Sequence, residues 1–247
     1  MNYANSFTSG LYKDILILIP AYNEEDSIKN VISDVRKSLP GVDIVVVNDG
    51  SSDKTAEAAA SQGVFVLSHD VNLGIGATVQ TGLKFARLKN YKIAVQVDGD
   101  GQHEASDLPR VIMPILRNEV DLCIGSRFLG ASVFMSTFTR RIGITFFSVL
   151  NFLLTGKWIT DPTSGFRAMN AQVIEFFSEH YPADYPEPEV LVTLYKKEFK
   201  IGEVPVVMKA RTTGISSISF HRAVYYMFKV TFSMLMDVFR THEVSSV

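Results

Sequence analysis

The sequence predicts an α/β protein in which helices cover an open, mainly parallel β-sheet. Two observations predict this fold. Short apolar runs recur along the first half of the chain, and stretches with apolar residues at helical spacing separate them. Parallel strands need a long crossover connection, which is usually a helix, so this alternation favours parallel pairing.

The predicted strands cover residues 14–20, 42–49, 64–68, 92–98, 121–126 and 201–208. The predicted helices between the first five strands cover about 28–39, 52–63, 77–88 and 106–119. Beyond Arg127 the alternation ends. A loop leads to a helix from about Arg140, an irregular turn at 161–166, a proline-rich segment at 181–189 and a further helix before the last strand.

Composition excludes several classes of protein. With 247 residues, 47% of them hydrophobic, the chain can bury a sizeable core. A net charge of −2 supplies no broad positive field for nucleic acid, so nucleic acid is not an expected partner. The single cysteine, Cys123, lies in an apolar segment and is expected to be a buried small side chain. The apolar segments 142–156 and 225–239 are too short, or too interrupted by charge, to be expected to span a membrane.

Acidic side chains follow the fourth predicted strand, in the stretch "VQVDGDGQH". Asp98 and Asp100 are two residues apart, so on an extended backbone both carboxylates point to one side and can face one hard cation, Mg²⁺ or Mn²⁺. Gln102 is a candidate third oxygen ligand. The alternatives are a plain Asp-Gly turn and a calcium loop, although Gln102 and His103 stand where an EF-hand needs other residues.

Other polar residues are expected at the same edge of the sheet. In open α/β sheets, ligands bind outside the carboxyl ends of the strands, which gathers residues 20–24, 48–53 and 98–102 on one rim. Asp49 and Asp53 are candidates to contact a nucleobase or ribose; the alternative is a turn with a helix cap. Guanidinium groups bind phosphate bidentately, and the arginines at element ends are Arg127, Arg140, Arg141 and Arg211.

The ordered motifs resemble a known family. The succession "LIPAYNEE", "VVVNDGSSDKT", "NLGIGAT", "VQVDGDGQH", "IGSRF", "DPTSGFRAM" and "IGEVPV" is similar to that of the family 2 glycosyltransferases of GT-A fold, in particular the dolichyl- or polyprenyl-phosphate hexose synthases. The resemblance covers about residues 14–217. It implies a Rossmann-like sheet and an inverting, metal-dependent transfer of a hexose from a UDP-, GDP- or dTDP-sugar to a lipid phosphate, for cell-surface glycan assembly.

The resemblance also implies roles for individual residues. Those expected around the nucleoside are Pro20, Tyr22, Glu24 and Asp49. Those expected at the metal and diphosphate are Asp98, Asp100 and Gln102. Those expected near phosphate groups are Arg127, Arg140 and Arg211, with Glu189 in the acceptor half. One departure is that Ile144 and Thr145 stand where these synthases often carry a Ser-Arg pair.

The nature of the acceptor decides whether a base is needed. A lipid phosphate is already anionic near neutral pH and needs none. A hydroxyl of a cell-wall or capsular polysaccharide would need a carboxylate base, and the candidates are Asp161, Glu187 and Glu189. A non-enzymatic alternative is a nucleotide-sugar-binding partner of a membrane protein.

The predicted organisation is a catalytic domain over residues 1–217, with a nucleotide-binding half to about residue 125, and a C-terminal amphipathic helical segment over 218–247. In this segment, aromatic and aliphatic residues form an apolar face with a basic edge at His221, Arg222 and Lys229, which is typical of a helix lying on a bilayer. The alternatives are packing on the body of the protein, on a sister subunit in a homo-oligomer, or on a small membrane-protein partner. The expected location is cytoplasmic, peripheral at the inner face of the membrane.

Overall fold

The computed structural model describes residues 12–130, 138–182, 186–209 and 220–239. The strands are β1 Ile15–Ala21, β2 Asp43–Asn48, β3 Phe65–Ser68, β4 Ile93–Gln96, β5 Leu122–Ser126, β6 Arg167–Asn170 and β7 Ile201–Pro205. The helices are α1 Ile28–Ser38, α2 Thr55–Ala60, α3 Ile75–Leu88, α4 Leu108–Leu116, α5 Phe138–Thr155, α6 Ala171–His180, α7 Pro186–Lys196 and α8 Phe220–Phe239, with a short 3₁₀ helix at Ala105–Asp107.

The strands form one sheet in the order β3-β2-β1-β4-β6-β5-β7. Every neighbouring pair is parallel except those made by β6, which runs antiparallel to both β4 and β5. The predicted mainly parallel sheet is therefore confirmed. The strand β6 and the helix α6 were not predicted, because "RAMN" is too short and too polar to stand out as an apolar run.

The central strands are buried on both faces, as their apolar composition indicates. On one face of β1, Ile17 and Ile19 pack with residues of α1 and α4. On the other face, Leu16 and Leu18 pack with residues of α3 and α6. Helices therefore cover both sides of the sheet, and this leaves the carboxyl ends of β1, β2 and β4 open along one edge.

The helices α5 and α8 pack against α7 around a separate apolar cluster of Phe147, Val192, Val230 and Met234. Their outer faces carry exposed apolar side chains: Ile142, Phe146, Val149, Phe152 and Leu153 on α5, and Phe228, Phe232, Leu235 and Met236 on α8. No helix in the described ranges is both long enough and apolar enough to cross a membrane. The division of the chain at residue 217 stays a prediction.

The helix α3 packs closely against the sheet at Gly82. A Cβ atom at this position would lie 1.9 Å from Cδ1 of Leu18. Overpacking of this kind costs about 1–3 kcal/mol, so Gly82→Ala should lower the free energy of unfolding in urea by that amount. The matched control is Gly143→Ala in α5, where a Cβ would meet no atom within 4 Å. A Gly82→Ala protein as stable as this control would contradict the prediction.

Candidate active site

Two loops at the carboxyl ends of β1 and β2 are held together by hydrogen bonds. The backbone N–H of Asn23 donates to Oγ of Ser51 at 3.0 Å, and that of Ser52 donates to Oδ1 of Asn23 at 2.9 Å. The N–H of Glu24 donates to Oγ1 of Thr55 at 2.8 Å. Asn23 adopts a left-handed backbone (φ 55°), which asparagine tolerates better than most residues. The predicted nucleoside residues Pro20, Tyr22 and Glu24 therefore lie beside the "NDGSSD" loop, with Tyr22 exposed.

Asp53 is part of this junction and accepts hydrogen bonds from two backbone N–H groups. Its Oδ1 accepts the backbone N–H of Thr55 at 3.0 Å, and its Oδ2 accepts that of Glu25 at 3.2 Å. Burial alone would raise the pKa of Asp53, but hydrogen bonds from Thr55 and Glu25 outweigh it, so the pKa is lowered. Asp53 therefore holds the start of α2 to the loop after β1, and its contact with a nucleobase or ribose stays a prediction.

Asp49 holds a third loop, residues 71–74, against the first two. Its Oδ1 accepts the N–H of Leu73 and its Oδ2 accepts that of Gly74, both at 2.9 Å. Its Oδ1 also lies 2.8 Å from Nδ1 of His69. His69 belongs to none of the candidate site residues expected from the sequence. The only signal was its position directly after an apolar run, at the same edge as the aspartates.

The predicted metal-binding loop follows β4 and lies against the same rim. The side chain of Asp98 is 35% exposed, and Asp100 is partly exposed, with its Oδ1 accepting the N–H of Gln102 at 3.0 Å. Oγ of Ser27 lies 2.7 Å from the carbonyl oxygen of Gly99 and 2.8 Å from Oε2 of Glu24. This serine joins the loop to the nucleoside side of the site.

His103 and Gly165 support the carboxylate of Asp98. The N–H of Asp98 donates to Nδ1 of His103 at 3.2 Å, which leaves Nε2 as the protonated nitrogen of the neutral ring, 3.5 Å from Oδ2 of Asp98. The His103 ring stacks on Phe166 at 4.8 Å between centroids. A Cβ at Gly165 would lie 2.9 Å from Oδ1 of Asp98, so only glycine lets the turn at 161–166 approach this carboxylate so closely.

The donor set fits a hard divalent cation. Nε2 of Gln102 lies 3.4 Å from the carbonyl oxygen of Lys209, so the amide oxygen of Gln102 is the atom suited to bind a cation. Within the described part of the chain, no three or more His, Cys, Asp or Glu side chains are grouped to hold a metal. Two carboxylates and one amide leave the other positions to water and ligand oxygens, which is how Mg²⁺ is usually bound.

Arg127 lies in a buried ion pair. Its side chain is 5% exposed, and Nε and Nη2 each lie 2.6 Å from a different carboxylate oxygen of Asp161, which is fully buried. Nη2 also donates to Oγ1 of Thr163 at 2.9 Å. This pair fixes the turn at 161–166 beside β5. The phosphate contact expected of Arg127 stays a prediction. Asp161 is a candidate base from the sequence, and both of its carboxylate oxygens accept hydrogen bonds from this arginine.

Asp161 is also held from the other side by Glu203 of β7. Oε1 of Glu203 accepts the backbone N–H of Asp161 at 2.9 Å, and Oε2 accepts that of Thr160 at 2.8 Å. Burial raises the pKa of Glu203, and these hydrogen bonds oppose the rise. The turn is therefore fastened to two strands.

Arg167 is a structural residue that the sequence reasoning missed. It is 1% exposed and donates from Nε to the carbonyl oxygen of Ser164, and from Nη2 to those of Pro162 and Glu187, at 2.7–2.8 Å. It therefore ties the turn to the start of α7. The available signal was an arginine at the end of the "DPTSGFR" motif, followed by apolar residues.

The start of α7 brings two glutamates to this side of the molecule. Burial raises the pKa of Glu187; the charge of Arg167 opposes this rise, and that of Asp98 adds to it. Glu189, predicted in the acceptor half, lies in the first turn of α7 and is partly exposed. Arg211 lies outside the described residues. Arg140 is in the first turn of α5, where the side chains are outside the described part.

Comparisons with known proteins give a consistent assignment. A family model described as "Glycosyl transferase family 2" matches residues 16–177. The UDP-N-acetylglucosamine–dolichyl-phosphate N-acetylglucosaminyltransferase of Methanococcus voltae is 33% identical over 246 residues, covering 91% of this chain and 96% of the relative. The undecaprenyl-phosphate mannosyltransferase of Micrococcus luteus is 31% identical over 217 residues, covering 83% and 87%.

A solved structure shares the fold. Glucosyl-3-phosphoglycerate synthase from Mycobacterium tuberculosis, in complex with Mn²⁺ and uridine-diphosphate-glucose, matches with a TM-score of 0.72 at 19% identity, covering 98% of this chain and 86% of that chain. The seven-stranded mixed sheet and this likeness define the class of protein, a glycosyltransferase of GT-A fold. Because the family model covers well over half of the chain, the chain belongs to glycosyl transferase family 2. The fold and family expected from the motifs are confirmed.

Proposed function

We propose that this glycosyltransferase moves a hexose from a nucleoside-diphosphate sugar to a polyprenyl phosphate, with inversion at the anomeric carbon. The observation that carries the proposal is the pair of partly exposed carboxylates, Asp98 and Asp100, on the rim where the loops after β1, β2 and β4 meet. The relatives named for dolichyl-phosphate and undecaprenyl-phosphate acceptors support the acceptor class.

The donor is proposed to bind across this rim. Pro20, Tyr22, Glu24 and Asp49 surround the nucleoside. The diphosphate approaches Asp98, Asp100 and Gln102, which would hold Mg²⁺ or Mn²⁺. The bound cation would supply Lewis-acid stabilisation of the charge on the leaving nucleoside diphosphate. Gly165 and His103 keep the Asp98 carboxylate in place for this task.

The acceptor needs positioning more than activation. An oxygen of the lipid phosphate forms the new bond to the anomeric carbon, and the bond from that carbon to the donor diphosphate breaks, so the nucleoside diphosphate leaves with the electron pair. Because the phosphate is already anionic, no proton has to be removed first. Arg140 and Arg211 are proposed to face phosphate groups, and Glu189 to line the acceptor side. Arg127 is proposed to act through its buried ion pair with Asp161, which fixes the turn at 161–166.

The exposed apolar faces of α5 and α8 are proposed to lie on the inner surface of the membrane. Together they carry several large apolar side chains, and Trp158 beyond the end of α5 is 54% exposed. The exposed cations Arg141, Lys157 and Lys229 border these faces. Apolar faces with a basic edge suit an anionic lipid surface, where a lipid phosphate would be presented.

A second candidate function is transfer to a polysaccharide hydroxyl, and one observation favours it. Burial raises the pKa of Glu187, and the Asp98 carboxylate lies near enough to add to that rise. A carboxylate whose pKa is raised by burial is suited to take the proton of a hydroxyl acceptor.

One assay separates these candidates. The full chain is incubated with labelled UDP-, GDP- or dTDP-hexoses, Mn²⁺, and anionic vesicles containing undecaprenyl phosphate. We expect the protein to float with the vesicles and to form a lipid-linked sugar. EDTA should abolish this product and Mn²⁺ should restore it, because the cation is needed at the diphosphate. Undecaprenol, which lacks the phosphate, is the matched control acceptor and should stay unlabelled. Label on a saccharide hydroxyl instead would overturn the lipid-phosphate proposal in favour of the second candidate.

A further inference from the structure

We infer that His69 is a positioning residue for the donor nucleoside, acting through Asp49 and the loop at residues 71–74, which we call the donor loop. The inference rests on the proposed function, because the donor loop is taken to border the nucleoside. It adds a residue that neither the motifs nor the comparisons assign.

His69 connects three elements through a chain of hydrogen bonds. It follows β3 directly, and its backbone N–H donates to the carbonyl oxygen of Asn48 at the end of β2, at 2.9 Å. Its Nδ1 lies 2.8 Å from Oδ1 of Asp49, and its Nε2 lies 2.9 Å from Oγ1 of Thr81 in α3. Both ring nitrogens are therefore engaged, and the side chain is only 12% exposed.

The chemistry of the partners decides which atom donates in each of these hydrogen bonds. A carboxylate only accepts hydrogen bonds, so Nδ1 carries the proton that points to Asp49. In the neutral ring, Nε2 then accepts the hydroxyl proton of Thr81. Thr81 is a firm anchor, because its neighbour Gly82 brings α3 into direct contact with Leu18 of β1.

Asp49 in turn holds the donor loop in place by hydrogen bonds. A carboxylate has about four acceptor positions, and three are used by the N–H groups of Leu73 and Gly74 and by His69. The Asp49 side chain is 5% exposed, and we take its remaining position to accept a single N–H or O–H group of a nucleoside. The loop also packs tightly on Gly50, where a Cβ would lie 2.5 Å from the carbonyl carbon of Val71. A rotation of Asp49 would therefore disturb both the loop and the last acceptor position.

Two conservative variants of His69 each keep one of its two side-chain hydrogen bonds and remove the other. In His69→Asn the amide nitrogen occupies the place of Nδ1, so the bond to Asp49 is retained and that to Thr81 is lost. In His69→Gln the amide group reaches the place of Nε2, so the bond to Thr81 is retained and that to Asp49 is lost. If His69 positions the donor through Asp49, the His69→Asn protein must bind the donor more tightly than the His69→Gln protein.

The experiment measures donor binding and turnover separately. Binding of UDP, GDP and dTDP with Mn²⁺ is titrated by calorimetry, and KM and kcat are measured with the matching sugar nucleotide. Losing a hydrogen bond to a charged group should raise the donor Kd and KM of His69→Gln about tenfold or more. Its kcat and acceptor KM should stay within about twofold of the wild type, because the residue does not touch the reacting atoms. His69→Asn should raise the donor Kd only about threefold, because the hydrogen bond to the charged partner is retained and only that to Thr81 is lost. His180→Asn, at an exposed histidine in the last turn of α6, is the control.

Each outcome decides the inference. An unchanged donor Kd in His69→Gln, equal impairment of the two variants, or a loss confined to kcat would overturn it. If His69→Gln does not fold, Thr81→Val decides: the inference requires a rise in donor Kd of about threefold, and no rise overturns it. If the wild-type protein binds none of the three nucleotides, the proposed function fails, and this inference fails with it.

Discussion

Asp100→Asn is expected to lower sugar transfer by about 1,000-fold, because a metal at the diphosphate contributes several kcal/mol to the transition state. Asparagine retains the oxygen that accepts the N–H of Gln102 at 3.0 Å, so the loop should keep its shape. The variant removes only the negative charge that the cation requires. Initial rates at saturating donor, with Mn²⁺ varied, measure the effect.

The matched control for this variant is Glu175→Gln. Glu175 is an exposed acid on α6 that forms a surface pair with Arg87, in the last turn of α3, at 2.7 Å. Its replacement should leave transfer unchanged, because an exposed pair contributes little and this one lies at the end of α3 away from the rim. Near-normal activity of the Asp100→Asn protein would remove the metal from the proposed mechanism.

Asp161→Asn is expected to destabilise the fold by about 3–5 kcal/mol, because removal of one partner leaves Arg127 as an uncompensated buried charge. For a chain of this size that corresponds to a fall in Tm of roughly 10 °C. Both side chains are at most 5% exposed, so water cannot replace the lost partner. Urea unfolding followed by circular dichroism measures the loss.

A double variant tests the cause of this loss. Arg127→Met combined with Asp161→Asn removes the unpaired charge, so part of the stability should return. If the double variant is as unstable as the sum of the two single variants, the ion pair is not the source of the effect. Glu175→Gln again serves as the control, since its exposed pair should leave the unfolding midpoint nearly unchanged.

Much of the fold and one side of the site could be predicted from residues that are neighbours in sequence. The apolar runs marked six of the seven strands, and the rule for open α/β sheets gathered Asp49, Asp98 and Asp100 at one edge. The match of residues 16–177 to the family model bears out the ordered motifs. Individual site roles, including that of Arg211 outside the described residues, stay predictions.

The sequence by itself determined the alternating elements and the acidic rim, because periodicity and strand ends depend on residues close together along the chain. Only the tertiary structure decided which partners the polar side chains take. It paired Arg127 with Asp161, 34 residues away, bound Arg167 to the carbonyl oxygen of Glu187, and joined His69 to Asp49 and Thr81. Such pairings depend on how segments that are distant in sequence meet when the sheet forms. The short antiparallel strand β6 is one such segment, and no local pattern encodes these contacts.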